Sequence, residues 1–331
     1  MRINKLLIIP AFLFSFIFTA CDSSYLGDEF FDNHSFEVEF TETDDFDARN
    51  QSHTGGVSEG VVSEYIAAIN ADLIERGITE FELVKAETFT AFNGGNFQSG
   101  QTLFANDRTK LLSSQWVPND SRRNAAGNNL TYLNFTPFMV ANGVIEAEPS
   151  IDTAFDTWND LKKNSGLDLV KLEWDGATNP SAILNVGIPF GDPLEADIVT
   201  MGFLPGFIFD AVLGPGASGG VLGVAFTFTW LDTEGNSTDE VALKEVWYND
   251  AFVWSTDGTP GTIDIESVAL HENGHALGFD HFGRISVVNA NGRLNVAPRA
   301  VMNAAYLQPQ RELLGTDKAS FNQVYGSWPK E

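Results

Sequence analysis

Cysteine is nearly missing from this chain of 331 residues: Cys21 is the only one. An internal disulfide is therefore excluded, and the fold must rest on packing and hydrogen bonds. Basic residues are also scarce. Nineteen Lys and Arg stand against 45 Asp and Glu, a formal charge of −26. That excess argues against nucleic-acid partners and against electrostatic attraction to anionic membrane faces. Long apolar runs are missing beyond residue 19; nothing there approaches the roughly 18 unbroken apolar residues of a transmembrane helix. No internal repeat is present. Histidine is rare too, with five in all. What remains suits a globular protein: 43% hydrophobic and 12% aromatic residues can bury a substantial core in one or two domains.

The N-terminus reads as an export address. Two basic residues lie within Met1 to Lys5, an apolar run follows from Leu6 to Thr19, and Phe18-Thr19-Ala20-Cys21 closes it. Residues 1–20 have the pattern of a secretory signal, too short to span a bilayer as a mature helix. The closing residues resemble a bacterial lipobox, although Phe18 departs from the usual aliphatic residue. The resemblance implies diacylglycerol on Cys21 and an exported, membrane-anchored lipoprotein at the outer membrane, cell surface or periplasmic face. An ordinary signal peptide cut near Ala20 is the alternative.

Residues 21–56 form an acidic stretch that reads as a solvated tether, with Phe36-Glu37-Val38-Glu39-Phe40 alternating as an edge strand would. Residues 57–109 read as a helix-plus-strand extension or propeptide-like subdomain. Within them, Val61, Val62, Tyr65, Ile66, Ile69, Leu73 and Ile74 recur at helical spacing over Ser58 to Arg76, and Gly77 fits the helix end. Residues 110–331 then form the main domain.

Three of the five histidines fall in eleven residues, His271-Glu272-Asn273-Gly274-His275-Ala276-Leu277-Gly278-Phe279-Asp280-His281. On a helix, His271 and His275 share a face one turn apart, with Glu272 about 100° further round. Gly278 can adopt positive φ, end the helix and turn the chain so that His281 closes a third corner. Three neutral nitrogen ligands with one open position describe a catalytic rather than a structural zinc. From this chain's residue frequencies, the full pattern arises by chance on the order of 10⁻⁵ or less, far below the risk carried by a bare H-E-x-x-H.

This H-E-x-x-H-x-x-G-x-x-H pattern is that of the metzincin metalloproteases, and its surroundings resemble the matrixin branch. Gly274 to His281 is very like the matrixin run, and Ala300-Val301-Met302-Asn303 resembles the Met-turn, which implies Met302 beneath the metal. Ile151 to Trp158 resembles the long first helix and Ala196-Asp197-Ile198-Val199 a core strand. Gly214-Pro215-Gly216 and Gly220 to Phe226 resemble the loop and edge strand above the cleft. Glu245 to Asp250 resembles the strand before the active-site helix, and Val324-Tyr325-Gly326 the end of the last helix. The resemblance covers roughly Lys110 to Gly326. It implies an α+β fold with a twisted mixed sheet, a long first helix, an active-site helix and a C-terminal helix.

The same resemblance implies a zinc endopeptidase acting on proteins or peptides, with His271, His275 and His281 on one Zn2+ and Glu272 as general base. An extended substrate would add to the strand around Leu222 to Phe226. Acid would strip the metal as the histidines protonate near their ordinary pKa of ~6.5. Several departures narrow the expectation. Val224 stands where matrixins carry a histidine of a second, structural zinc, and His34 and His53 lie far upstream. The acidic loops would suit structural Ca2+, but Leu213 interrupts the calcium-loop pattern, so no ligands follow. With Cys21 lipidated, no cysteine remains for thiol latency. Ala304 occupies the place of the tyrosine found two residues after the methionine in astacins, so Tyr306 does not inherit that role. Two other readings stay open: a surface lipoprotein that binds or adheres through a protease-like fold without hydrolysis, and a zinc hydrolase of non-peptide amides. Oligomeric state is not legible.

Overall fold

The computed structural model describes residues 59–92, 99–106, 114–123, 127–288 and 293–329. Cys21, the signal segment, the acidic tether and the alternating Phe36–Phe40 stretch lie outside the described residues. Everything described falls within one unit, Glu42–Glu331.

The first helix, α1 (Glu59–Glu75), matches the expected apolar spacing. It ends where Gly77 takes φ 82°, with Gly77 N–H donating to Ile74 O and Ile78 N–H to Leu73 O. Those two bonds satisfy carbonyls that the helix end would otherwise leave open. Ile69 and Leu73 are buried, whereas Ile74 is exposed; the apolar stripe is narrower than the spacing implied. Asn70 locks α1 to the following strand, exchanging hydrogen bonds of 2.7 and 2.9 Å with the backbone of Leu83.

The fold is α+β. Strands β1 (Phe81–Ala91), β3 (Leu130–Asn134), β4 (Leu169–Leu172), β5 (Ile198–Leu204), β6 (Val221–Leu231), β7 (Ser237–Asn249) and β10 (Ala305–Tyr306) form a seven-stranded mixed sheet in the order β10-β1-β6-β7-β5-β3-β4. A smaller antiparallel sheet joins β2 (Thr102–Asn106) to β8 (Gly283–Val287) and β9 (Leu294–Ala297), in the order β9-β8-β2. Helices α2 (Glu148–Asn159) and α4 (Ile265–Ala276) pack together on the large sheet, while α3 (Gly206–Leu213) and α5 (Gly315–Tyr325) complete the set.

Two expectations change here. β6, expected at the edge, is internal: β1 pairs antiparallel with it from Phe81/Trp230 to Thr90/Val221, and β7 pairs on its other side. The extension expected at 57–109 therefore shares the large sheet with the domain expected from 110, because β1 is the second strand of that sheet.

The core lies between sheet and helices. On α2, Ile151, Ala154, Phe155 and Trp158 are buried at helical spacing. They meet Leu222, Ala225, Val246 and Tyr248 from the sheet and Val268 and Ala269 from α4. Trp158 also donates its indole N–H to Leu270 O at 2.8 Å. Truncating it to alanine would cost about 3–5 kcal/mol and leave that carbonyl unpaired. The fold thus fixes α4 from behind before any ligand is considered.

Candidate metal and active site

Helix α4 begins at Asp264, whose carboxylate accepts from Ser267 N–H at 3.0 Å and pairs with Arg311. Capping of this kind is worth about 1 kcal/mol. The helix ends as the sequence implied. Gly278 has φ 92°, Gly278 N–H donates to His275 O, and Phe279 N–H donates to Gly274 O. With those carbonyls satisfied by a left-handed glycine, the chain reverses and returns His281 to the helix face.

Three imidazoles converge as a result. His281 Nε2 lies 3.2 Å from both His271 Nε2 and His275 Nε2. Their other nitrogens are committed: His271 Nδ1 donates to Val301 O and His275 Nδ1 to Phe279 O, each at 2.7 Å. A carbonyl only accepts, so each Nδ1 of that pair carries the proton and each Nε2 presents a bare lone pair. Lone pairs gathered in a buried space repel one another unless a cation sits among them. The donor set and tautomers therefore fit a metal such as zinc, which prefers neutral imidazole nitrogen with its second nitrogen hydrogen-bonded. Burial holds all three rings well below their ordinary pKa, His275 down to about 3. Among the described residues, these three form the cluster with metal-ligand spacing.

Glu272 is fully buried, and neither of its oxygens has a hydrogen-bond partner. Desolvation, and then the charge of Glu87, push its carboxyl pKa well above the usual range. Its place depends on Gly223, since a Cβ there would stand 2.6 Å from Glu272 Oε1. Tyr248, on the neighbouring strand, also has a buried hydroxyl without a partner, and its pKa is raised by burial and then by Glu272.

Met302 is buried against Gly274, between the two helical histidines in sequence, where any added Cβ would overlap its sulfur. The turn carrying it is held by Asp317, which accepts from Val301 N–H at 3.0 Å, and by Asn303, whose amide donates to Phe282 O at 2.8 Å. Tyr306 keeps away from the imidazoles: its hydroxyl accepts from Asp264 N–H at 3.1 Å. Indole and phenol groups brace the helix end, with Trp116 donating to Ala276 O and Tyr325 to Leu277 O.

No protein-family model matches this chain, and no curated protein matches it. The site is therefore read from its own atoms.

Several residues at the site were not singled out from the sequence. Phe89 of β1 stacks on the His271 ring, with centroids 3.7 Å apart and planes 10° from parallel. Phe104 of β2 meets His281 edge-on at 6.0 Å. Glu87 Oε1 approaches His275 Nδ1 at 3.3 Å and Lys85 Nζ at 2.8 Å, and Lys85 also pairs with Asp280. Lys244 lies fully buried and donates to Thr227 Oγ1 at 2.6 Å. A faint signal existed in the alternation of Lys85, Glu87 and Phe89, which share one strand face, whereas a register shift after Leu83 puts Phe81 and Leu83 on the other. Two charges in that face point to solvent on composition alone.

Proposed function

We propose that this protein is a zinc-dependent endopeptidase of metzincin type, resembling the matrixins, tethered to a membrane through lipid on Cys21. The observation that carries the reading is the convergence of three histidine Nε2 atoms, two of them left bare by their ring tautomers, on a helix that also carries a buried carboxylate with no hydrogen-bond partner. His271, His275 and His281 would hold the ion, which when bound supplies Lewis acidity at an open fourth position.

The protein's own groups account for the rest. Val301 O and Phe279 O hold the His271 and His275 rings in the tautomer that leaves Nε2 free. Glu272, one residue round the helix, takes the proton from the attacking water and passes it to the leaving amine. Its freedom from other hydrogen bonds leaves both oxygens available for that transfer. Gly223 keeps the space beside it open.

The competing reading is a binding or adhesion module on the same fold. Complete burial of His271, Glu272 and His275 favours it, whereas retention of the base together with all three ligands favours hydrolysis. Metal analysis and a prolonged digest of a protein-derived peptide mixture, run on wild type and Glu272→Ala, separate the two. Hydrolysis predicts one zinc per chain in both proteins and cleavage reduced by about 10²–10⁴-fold in the variant. Zinc without cleavage in wild type would count against hydrolysis and leave the binding reading standing.

A further inference from the structure

We infer that residues 85–91 of β1 lie in the cleft as an internal substrate mimic, which keeps the site closed and marks it as a receptor for extended peptides with an aromatic side chain over His271. The inference rests on the endopeptidase reading above and adds to it a mode of regulation and a substrate class.

Four observations converge. First, this segment is bracketed by two walls of the site. It pairs antiparallel with β6 on one side, Phe89 opposite Gly223, and parallel with β10 on the other, Thr90 opposite Ala305. β10 starts three residues after Met302, and Gly223 is the residue that abuts Glu272. Thr90 Oγ1 reaches Ala304 O at 3.3 Å. An extended peptide held by backbone bonds to both neighbours is how a strand-recognising cleft takes its ligand.

Second, Phe89 fills a slot made by catalytic and wall residues. It lies flat on His271 and meets Tyr306 edge-on at 6.0 Å. An aromatic ring is the shape this slot accepts.

Third, the site is largely closed as it stands, with His281 alone of the three histidines part-exposed. His271, Glu272 and His275 each show 0% exposure, so a second chain reaches them only if something leaves. β1 is the element lying across them.

Fourth, the two halves of β1 are built differently. Phe81 and Leu83 are buried, and Phe81 packs against Phe228 and Trp230 as an apolar anchor. The register shift between Leu83 and Lys85 turns the strand over, so that the second half presents Lys85, Glu87 and Phe89 to the site from the opposite face, with Lys85 paired to Glu87 and Asp280 and Glu87 set against His275. Charges turned inward hold a strand less firmly than apolar side chains, because the cost of desolvating them offsets much of what their pairing gains. The anchor can stay while the half over the site withdraws.

The test uses the full chain. Zinc-loaded wild type, Phe89→Ala and the milder Phe89→Leu are compared on a quenched peptide containing phenylalanine. Separately, a labelled peptide Lys-Ala-Glu-Thr-Phe-Thr-Ala, the sequence of residues 85–91, is titrated by fluorescence anisotropy against Glu272→Gln, with and without Phe89→Ala. Turnover at least tenfold above wild type in either Phe89 variant, with peptide binding only where Phe89 is removed, is the expected result. Peptide binding without hydrolysis in any protein would retain the mimic and remove the endopeptidase reading. Hydrolysis no faster in both Phe89 variants, with the peptide binding to neither protein or equally to both, would overturn the mimic and leave the endopeptidase standing. Should Phe89→Ala fail to fold, Phe89→Leu carries both measurements.

Discussion

Gly274 and Met302 compete for one space: a Cβ added to Gly274 would overlap Met302 Sδ and stand 3.1 Å from Trp158 Cζ2. The glycine sits in the last turn of α4, where alanine would ordinarily gain up to about 1 kcal/mol. Overpacking a fixed core costs about 1–3 kcal/mol, and Trp158 is tied to Leu270 O, so the core cannot easily give. Gly274→Ala is expected to lower stability by about 0–2 kcal/mol on balance, and to weaken zinc binding by lifting the helix. Urea unfolding and a zinc competition assay measure both. An alanine variant more stable than wild type would show that Met302 can move aside.

Acid should remove the metal later than the residue types alone suggest. The sequence implied loss near the ordinary histidine pKa of ~6.5, but burial lowers all three rings, His275 to about 3. Protons therefore compete for Nε2 only at lower pH, and zinc occupancy should hold steady through pH 6.5 before falling. For the metal-free protein the sign is opposite in consequence. Below pH 6.5 the unfolded chain binds protons that the native rings refuse, so stability declines as pH drops towards the lowered values. Metal content after dialysis across pH 7.5 to 3.5, with parallel melting curves of both forms, tests this. Zinc loss centred at 6.5 would mean that the rings titrate as if solvated.

Lys244 gives a second pH signature, in a higher pH range than the imidazoles. Burial lowers its pKa from 10.5 to about 8, against the opposing pull of Glu87. Between those values the unfolded chain holds a proton that the native chain does not, so this residue makes stability rise with pH over that window. At 1.36 kcal/mol per unit the gain is on the order of 3 kcal/mol. Lys244→Met should lack it. Denaturant midpoints of both proteins at pH 8 and 10 give the difference, and equal pH slopes would place the lysine in contact with water.

The local parts of the site were legible in the sequence because they depend on spacing alone. His271 and His275 share a face by helical periodicity, Gly278 supplies the left-handed residue that turns His281 back, and residues 59–75 show their helix in apolar spacing. The α+β class and the helices at Ile151, Ile265 and Val324 were implied by the resemblance of short runs to the matrixin pattern.

Tertiary structure decided what covers the site. Lys85, Glu87 and Phe89 stand almost 200 residues before the histidines, and no periodicity joins a strand to a partner so distant. β6 was expected at an edge because it resembles the matrixin edge strand, and nothing in its own residues says what pairs beside it; backbone hydrogen bonds are blind to side-chain identity. Likewise, Lys85 and Glu87 look solvent-facing until Asp280 and His275 are brought against them. The sequence by itself determined the donor set and the turn that assembles it. Only long-range strand pairing decided that β1 lies over those donors, because that choice is made by the chain's global closure and not by any local preference.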